Sequence, residues 1–159
     1  MIELQRYWGH ILEEQSNIAR HKKAIDLWQQ ELSVLEQDCH KLEQEIKDLK
    51  LIIKNSETDL AETENQITKH EKKRDLLKTE KELVALEHEL ESANKIKEEL
   101  EEKLIVTLDQ LEAKETEAEE KKNNLEVKKK QVASDKDLLT KKFRLPRIRL
   151  LVSKRNLMN

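Results

Sequence analysis

Residues 74–90 read Arg74-Asp75-Leu76-Leu77-Lys78-Thr79-Glu80-Lys81-Glu82-Leu83-Val84-Ala85-Leu86-Glu87-His88-Glu89-Leu90, and their reading decides the fold. Heptad-patterned sequence runs away from them on both sides, yet Thr79 is followed three residues later by Glu82, the spacing of a capping box. In such a box the threonine oxygen accepts from the backbone N–H three residues on, while the glutamate carboxylate accepts from the N–H of the threonine. A helix start inside sequence that is otherwise helical predicts that the chain folds back here, with Lys78–Glu82 as the turn. One uninterrupted helix is the alternative, because T-x-x-E recurs readily in Glu-rich sequence.

Working outward distinguishes the two. Alternate steps of three and four residues from Leu4 reach Ile11, Ile18, Ile25, Trp28, Leu32, Leu35, Cys39, Leu42, Ile46, Leu49, Ile53, Leu60, Ile67 and Leu77, and sixteen of the 22 positions visited are apolar. A second seam starts at Leu83 and continues through Leu86, Leu90, Leu100, Leu104, Leu111, Leu125, Val132 and Leu139. Sustained heptads of this kind are the mark of coiled coil. In an antiparallel pair, residues that share a layer have a constant sum of numbers. A five-residue turn makes that sum 160, pairing Leu77 with Leu83, Arg74 with Leu86, Ile67 with Ala93, Leu49 with Leu111 and Trp28 with Val132. The layers close without a skip, although pairing shifted by a heptad would look similar. The expected fold is all-α, a long antiparallel two-helix coiled-coil hairpin: a first arm over 1–78, a second over 79–143 and a basic tail over 144–159. Arms of this length make an elongated rod of roughly 100 Å at ~1.5 Å per residue.

Composition agrees. Charged residues make up 41% of the chain and aromatics 3%, with one Gly and one Pro in 159 residues, the profile of long helices and not of a compact domain. The formal charge of −3 hides an asymmetry. No acid follows Asp137, so residues 141–159 carry +7, while residues 1–140 hold 24 basic against all 34 acidic residues. The single Cys39 excludes an internal disulfide and fits a reducing, cytoplasmic setting. No run approaches the ~18 apolar residues of a membrane span.

Away from the turn the layering sets Ile46 against Lys114, Cys39 against Lys121 and Leu32 against Lys128. Lysine stems can cover such apolar positions while their ammonium groups stay in water. Alternatively, Ile25, Leu32, Ile46, Leu51 and Ile52 form an apolar strip for a partner helix or a second copy. Pro146 predicts that the second arm ends by about Phe143. Beyond it, Arg144, Arg147, Arg149, Lys154 and Arg155 are interleaved with apolar residues and suit nucleic-acid phosphates, an anionic membrane surface or an acidic rod of another copy; a frayed or truncated end is the other reading.

No constellation predicts catalysis or a cofactor. The five histidines are scattered, Cys39 has no partner cysteines, and Gly9 is the only glycine, which excludes a Gly-rich phosphate loop. A rod without a concave pocket has nowhere to exclude water from a substrate, so the chain is expected not to be an enzyme.

The run Lys78-Thr79-Glu80-Lys81-Glu82-Leu83-Val84-Ala85-Leu86-Glu87-His88-Glu89-Leu90, then Leu100-Glu101-Glu102-Lys103-Leu104 and Leu111-Glu112, resembles a family pattern, K-x-x-K-E-L-x-A-L-x-x-E-I followed by L-E-D-x-L-L. That family comprises bacterial coiled-coil proteins ending in a four-cysteine zinc ribbon, among them the flagellar regulator FlgZ and its chlamydial relatives. Ile2-Glu3-Leu4-Gln5 is similar to its L-x-E-L-Q start, and the resemblance covers about residues 2–143, with 78–104 its specific part. It implies a hairpin adaptor whose partners are the sigma factor RpoN and components of flagellar or type III secretion. No cysteine follows Cys39, so the zinc ribbon and its metal are absent from this chain.

The tip residues expected to bind a partner are Arg74, Lys78, Lys81, Leu83 and Leu86, although Leu83 and Leu86 equally suit closing the seam. Two other classes compete with the adaptor: a nucleic-acid-binding module working through the basic tail, and a mechanical stalk of the kind found in secretion ATPases.

Overall fold

The computed structural model describes residues 2–157, with side chains described from 2 to 141. It contains two helices, α1 (Ile2–Arg74) and α2 (Glu80–Leu157), packed antiparallel as an all-α hairpin, and no strand occurs among the described residues.

The connection is residues 75–79, three residues earlier than the expected turn at Lys78–Glu82. The difference follows from what the start signal does: Thr79 is the last residue before α2, so the turn ends at the cap instead of opening beside it. The Thr79 carbonyl accepts from the N–H of Leu83 at 3.1 Å, the first bond of the new helix. The reciprocal side-chain bonds of a capping box are not among the hydrogen bonds of the described residues. On the incoming side the Leu76 N–H donates to the Lys73 carbonyl at 3.0 Å, tightening the end of α1. No described residue has positive φ, which is why the reversal needs no glycine. Lys72, Lys73 and Arg74 close α1, while Glu80 and Glu82 open α2, each charge opposing the local helix dipole.

The chain divides into two units. In His40–Glu119 the buried side chains all fall on the heptad seam, with Leu42, Leu86, Leu90 and Ala93 the most covered apolar residues. Polar residues interrupt this seam, and two of them are satisfied within their own helices. The buried Thr63 and Thr107 hydroxyls donate to the carbonyls of Asp59 (2.8 Å) and Lys103 (2.7 Å) in their own helices. Cross-helix ion pairs report the register: Arg74–Glu87, Lys97–Glu64, His70–Glu89 and Lys114–Glu45 each have numbers summing to within one of 160. A heptad shift would move that sum by seven, so the register is the one derived from the two seams.

In the other unit, Met1–Cys39 with Glu120–Asn159, the same rule holds. Ile11, Ile18, Ile25, Trp28, Leu32, Leu35 and Cys39 are half-buried, as are Lys121, Leu125, Lys128 and Leu139, Val132 is buried, and Lys128 pairs with Glu31. Leu4 and Tyr7, both seam positions by pattern, are exposed.

Pro146 does not end α2 near Phe143, because the helix continues to Leu157. A proline within a helix removes one backbone donor and crowds the carbonyl four residues back, at roughly 3 kcal/mol. The following residues, rich in leucine and arginine, are good helix formers that carry the helix on. The backbone of residues 144–157 is therefore part of α2. The side chains of Arg144, Arg147, Arg149, Lys154 and Arg155 lie outside the described residues.

Candidate functional site at the hairpin tip

The end of α1, the turn and the start of α2 bring together residues 66–90, and the expected tip residues separate into two kinds. Leu86 is only 6% exposed and shares the Arg74 layer, and Leu83 is half-buried one turn nearer the reversal. Both sit on the seam, where their covered faces close it. Arg74 is exposed but engaged, its guanidinium Nη2 donating to Glu87 Oε1 at 3.3 Å across the hairpin. Lys78 and Lys81 are exposed and enter no salt bridge among the described residues.

The residue that sequence reasoning missed is Leu76. It is 78% exposed, in the turn itself, beside the seam leucine Leu77, which is half-buried. Its signal was legible: the heptad count lands on Leu77, leaving Leu76 as a leucine out of register. Leu76 borders an open notch of about 590 Å³, lined also by Gln66, Lys69, His70, Lys72, Lys73 and Glu89. The three lysines are exposed and, like Lys78 and Lys81, enter no salt bridge among the described residues. At the floor, His70 Nδ1 is buried and lies 3.5 Å from Glu89 Oε2 without hydrogen-bond geometry.

The residues expected to form an apolar strip, Ile25, Leu32, Ile46, Leu51 and Ile52, differ in exposure. Ile25, Leu32 and Ile46 are half-buried seam residues. At two of these positions the covering lysine has a defined destination: Lys114 Nζ reaches Glu45 at 2.9 Å, next to Ile46, and Lys128 Nζ reaches Glu31, next to Leu32. The Glu45 hydrogen bond, with its charge, holds the Lys114 ammonium above its ordinary pKa of 10.5. Leu51 and Ile52 are exposed, and Ile52 lines a shallow groove of about 550 Å³ with Leu49, Ala113 and Lys114.

Among the described residues, no group of three or more His, Cys, Asp or Glu side chains is placed to hold a metal ion. None of their helices is long and apolar enough to cross a membrane.

No protein-family model, curated protein or solved structure matches the chain.

Proposed function

We propose that this chain is a non-enzymatic adaptor, working in the cytoplasm, whose hairpin tip binds a protein partner. The observation that carries this reading is Leu76, a large apolar side chain left 78% exposed at the rim of an open notch ringed by lysines. Leucine burial gains roughly 1.5–3 kcal/mol, and in this hairpin the adjacent Leu77 takes that gain within the seam while Leu76 does not. An aliphatic anchor surrounded by charges that attract without being buried is the anatomy of a small protein-docking site.

The resemblance of residues 78–104 to the zinc-ribbon hairpin family supports the adaptor class. It makes the sigma factor RpoN and flagellar or type III secretion components the first partners to try. The test is capture on the immobilised chain, comparing the native tip with Leu76→Asp and with Leu51→Asp on the hairpin's side. Loss of a captured partner with the tip variant alone supports the reading, and retention of every partner by Leu76→Asp refutes it.

A further inference from the structure

The lysines of this hairpin are used in two ways. Along the seam, Lys50, Lys97, Lys114, Lys128 and Lys129 each reach a glutamate on the opposite helix. At the notch, Lys69, Lys72 and Lys73 enter no salt bridge among the described residues although Glu89 lines the same notch. Spacings of three and four residues put these three lysines on one helical face, where like charges repel by a few tenths of a kcal/mol per pair. Leu76 is three residues beyond Lys73 and four beyond Lys72, and its N–H bond to the Lys73 carbonyl keeps it on that face. The result is a contiguous surface of three unneutralised ammonium groups ending in an exposed aliphatic side chain, beside an open notch.

We infer that this notch takes an acidic protein segment carrying one aliphatic side chain, its carboxylates meeting Lys69, Lys72 and Lys73 and its aliphatic group resting on Leu76. The inference rests on the tip reading proposed above and adds the partner's chemistry. Charge complementarity selects the acid, and Leu76 selects a peptide over a nucleic acid. Single-stranded nucleic acid is held by bases stacked on exposed aromatic rings, and the notch has no Phe, Tyr or Trp in its lining and only the largely covered imidazole of His70. Glu89 in the lining and Glu71 and Asp75 in the adjoining sequence would oppose a continuous phosphate backbone, whereas a peptide can place its acids only where the lysines are.

The experiment uses the full chain, isotope-labelled, titrated with short synthetic probes and followed by backbone amide NMR shifts. One probe is acidic with a single leucine, the second replaces that leucine by alanine, the third replaces its acids by lysine, and the fourth is an oligothymidylate. The expected result is that the first probe moves the amides of Lys69–Leu76 and Glu89, with affinity falling roughly tenfold without the leucine and on raising salt. Lys72→Glu with Lys73→Glu, helical by circular dichroism, should abolish those shifts. If the lysine-rich probe moves the same amides as strongly, the acidic assignment is overturned while the tip remains the docking site. Notch shifts with oligothymidylate and none with the acidic peptide overturn it in favour of nucleic acid. If no probe moves the notch and Leu76→Asp also keeps every captured partner, both readings fall.

Discussion

Lys114 Nζ lies 2.9 Å from Glu45 Oε2, joining a seam position of α2 to the residue that precedes the isoleucine it faces in α1. The lysine is where a hydrophobic knob would normally sit. Its stem can cover Ile46 only if the ammonium leaves the seam sideways, and Glu45 marks where it goes. Because the same arrangement recurs two heptads away, with Lys128 and Glu31, the lysines act as register marks in a stretch whose hydrophobic layers are thin. Apolar seams tolerate slippage by a heptad; an ion pair between two numbered residues does not.

Lys114 predicts a pH dependence. Its folded pKa is raised above the ordinary 10.5 by the Glu45 hydrogen bond, so its contribution to stability is fully present below the unfolded value and is lost as pH rises through the folded one. Many lysines titrate in that range, so the readout is a difference: thermal midpoints of the native chain and of Lys114→Met, measured from neutral to strongly alkaline pH. The native chain should lose its advantage, or extend its deficit, relative to the variant above about pH 10.5. Parallel curves through that window would sink the assignment.

Charge exchange at Lys128 and Glu31 tests the register in the other unit. Lys128→Glu sets two carboxylates together and should lower stability by up to roughly 1 kcal/mol, since the pair is largely exposed. Adding Glu31→Lys should restore most of the loss. Urea unfolding of the two single variants and the double variant gives the coupling directly, and independent, additive effects would mean that the residues do not meet.

Much of this architecture could be read from the chain itself, because heptad spacing is a direct image of which residues face inward. All of the second seam with described side chains, Leu83 to Leu139, is buried or half-buried, Lys97, Lys114, Lys121 and Lys128 included. T-x-x-E marks a helix start and the loop before it contains no Gly or Pro to mark its own beginning, so the pattern places the turn three residues late. Pro146 is a helix-stop signal, but the helix formers around it carry α2 through to Leu157. Leu76 was passed over for a related reason: pattern analysis ranks residues by how well they fit the seam, and a docking residue is one that does not fit. The unpaired state of Lys69, Lys72 and Lys73 depends on where Glu89 and Glu87 point, which no periodicity encodes.

Leu86 and Leu76 should respond oppositely to truncation. Leu86→Ala removes a side chain that is 6% exposed and should cost about 2–4 kcal/mol in chemical denaturation, with the tip loosening first in hydrogen exchange. Leu76→Ala, at 78% exposure, should change stability by no more than about 0.5 kcal/mol while weakening partner capture. A large stability loss at Leu76 would make it a packing residue and remove the main support for a docking tip.

Arm length separates an adaptor from a mechanical stalk. A heptad inserted after Leu35 in α1, matched by one inserted before Leu125 in α2, preserves every existing layer, because those two residues share a layer in the observed register. The doubly extended chain should stay fully helical, melt within a few degrees of the native chain and capture partners at the tip unchanged. An insertion in α1 alone keeps the heptad but shifts the outer part of the seam by seven, so that Lys128 no longer meets Glu31 and Val132 no longer meets Trp28. That variant should lose stability in the unit of residues 1–39 and 120–159 while the unit that contains the turn stays intact, visible as a second, earlier unfolding transition. If partner capture or activity in cells fails with the doubly extended chain even though its tip amides are unperturbed, then the length of the hairpin matters more than its end, and the stalk reading replaces the adaptor.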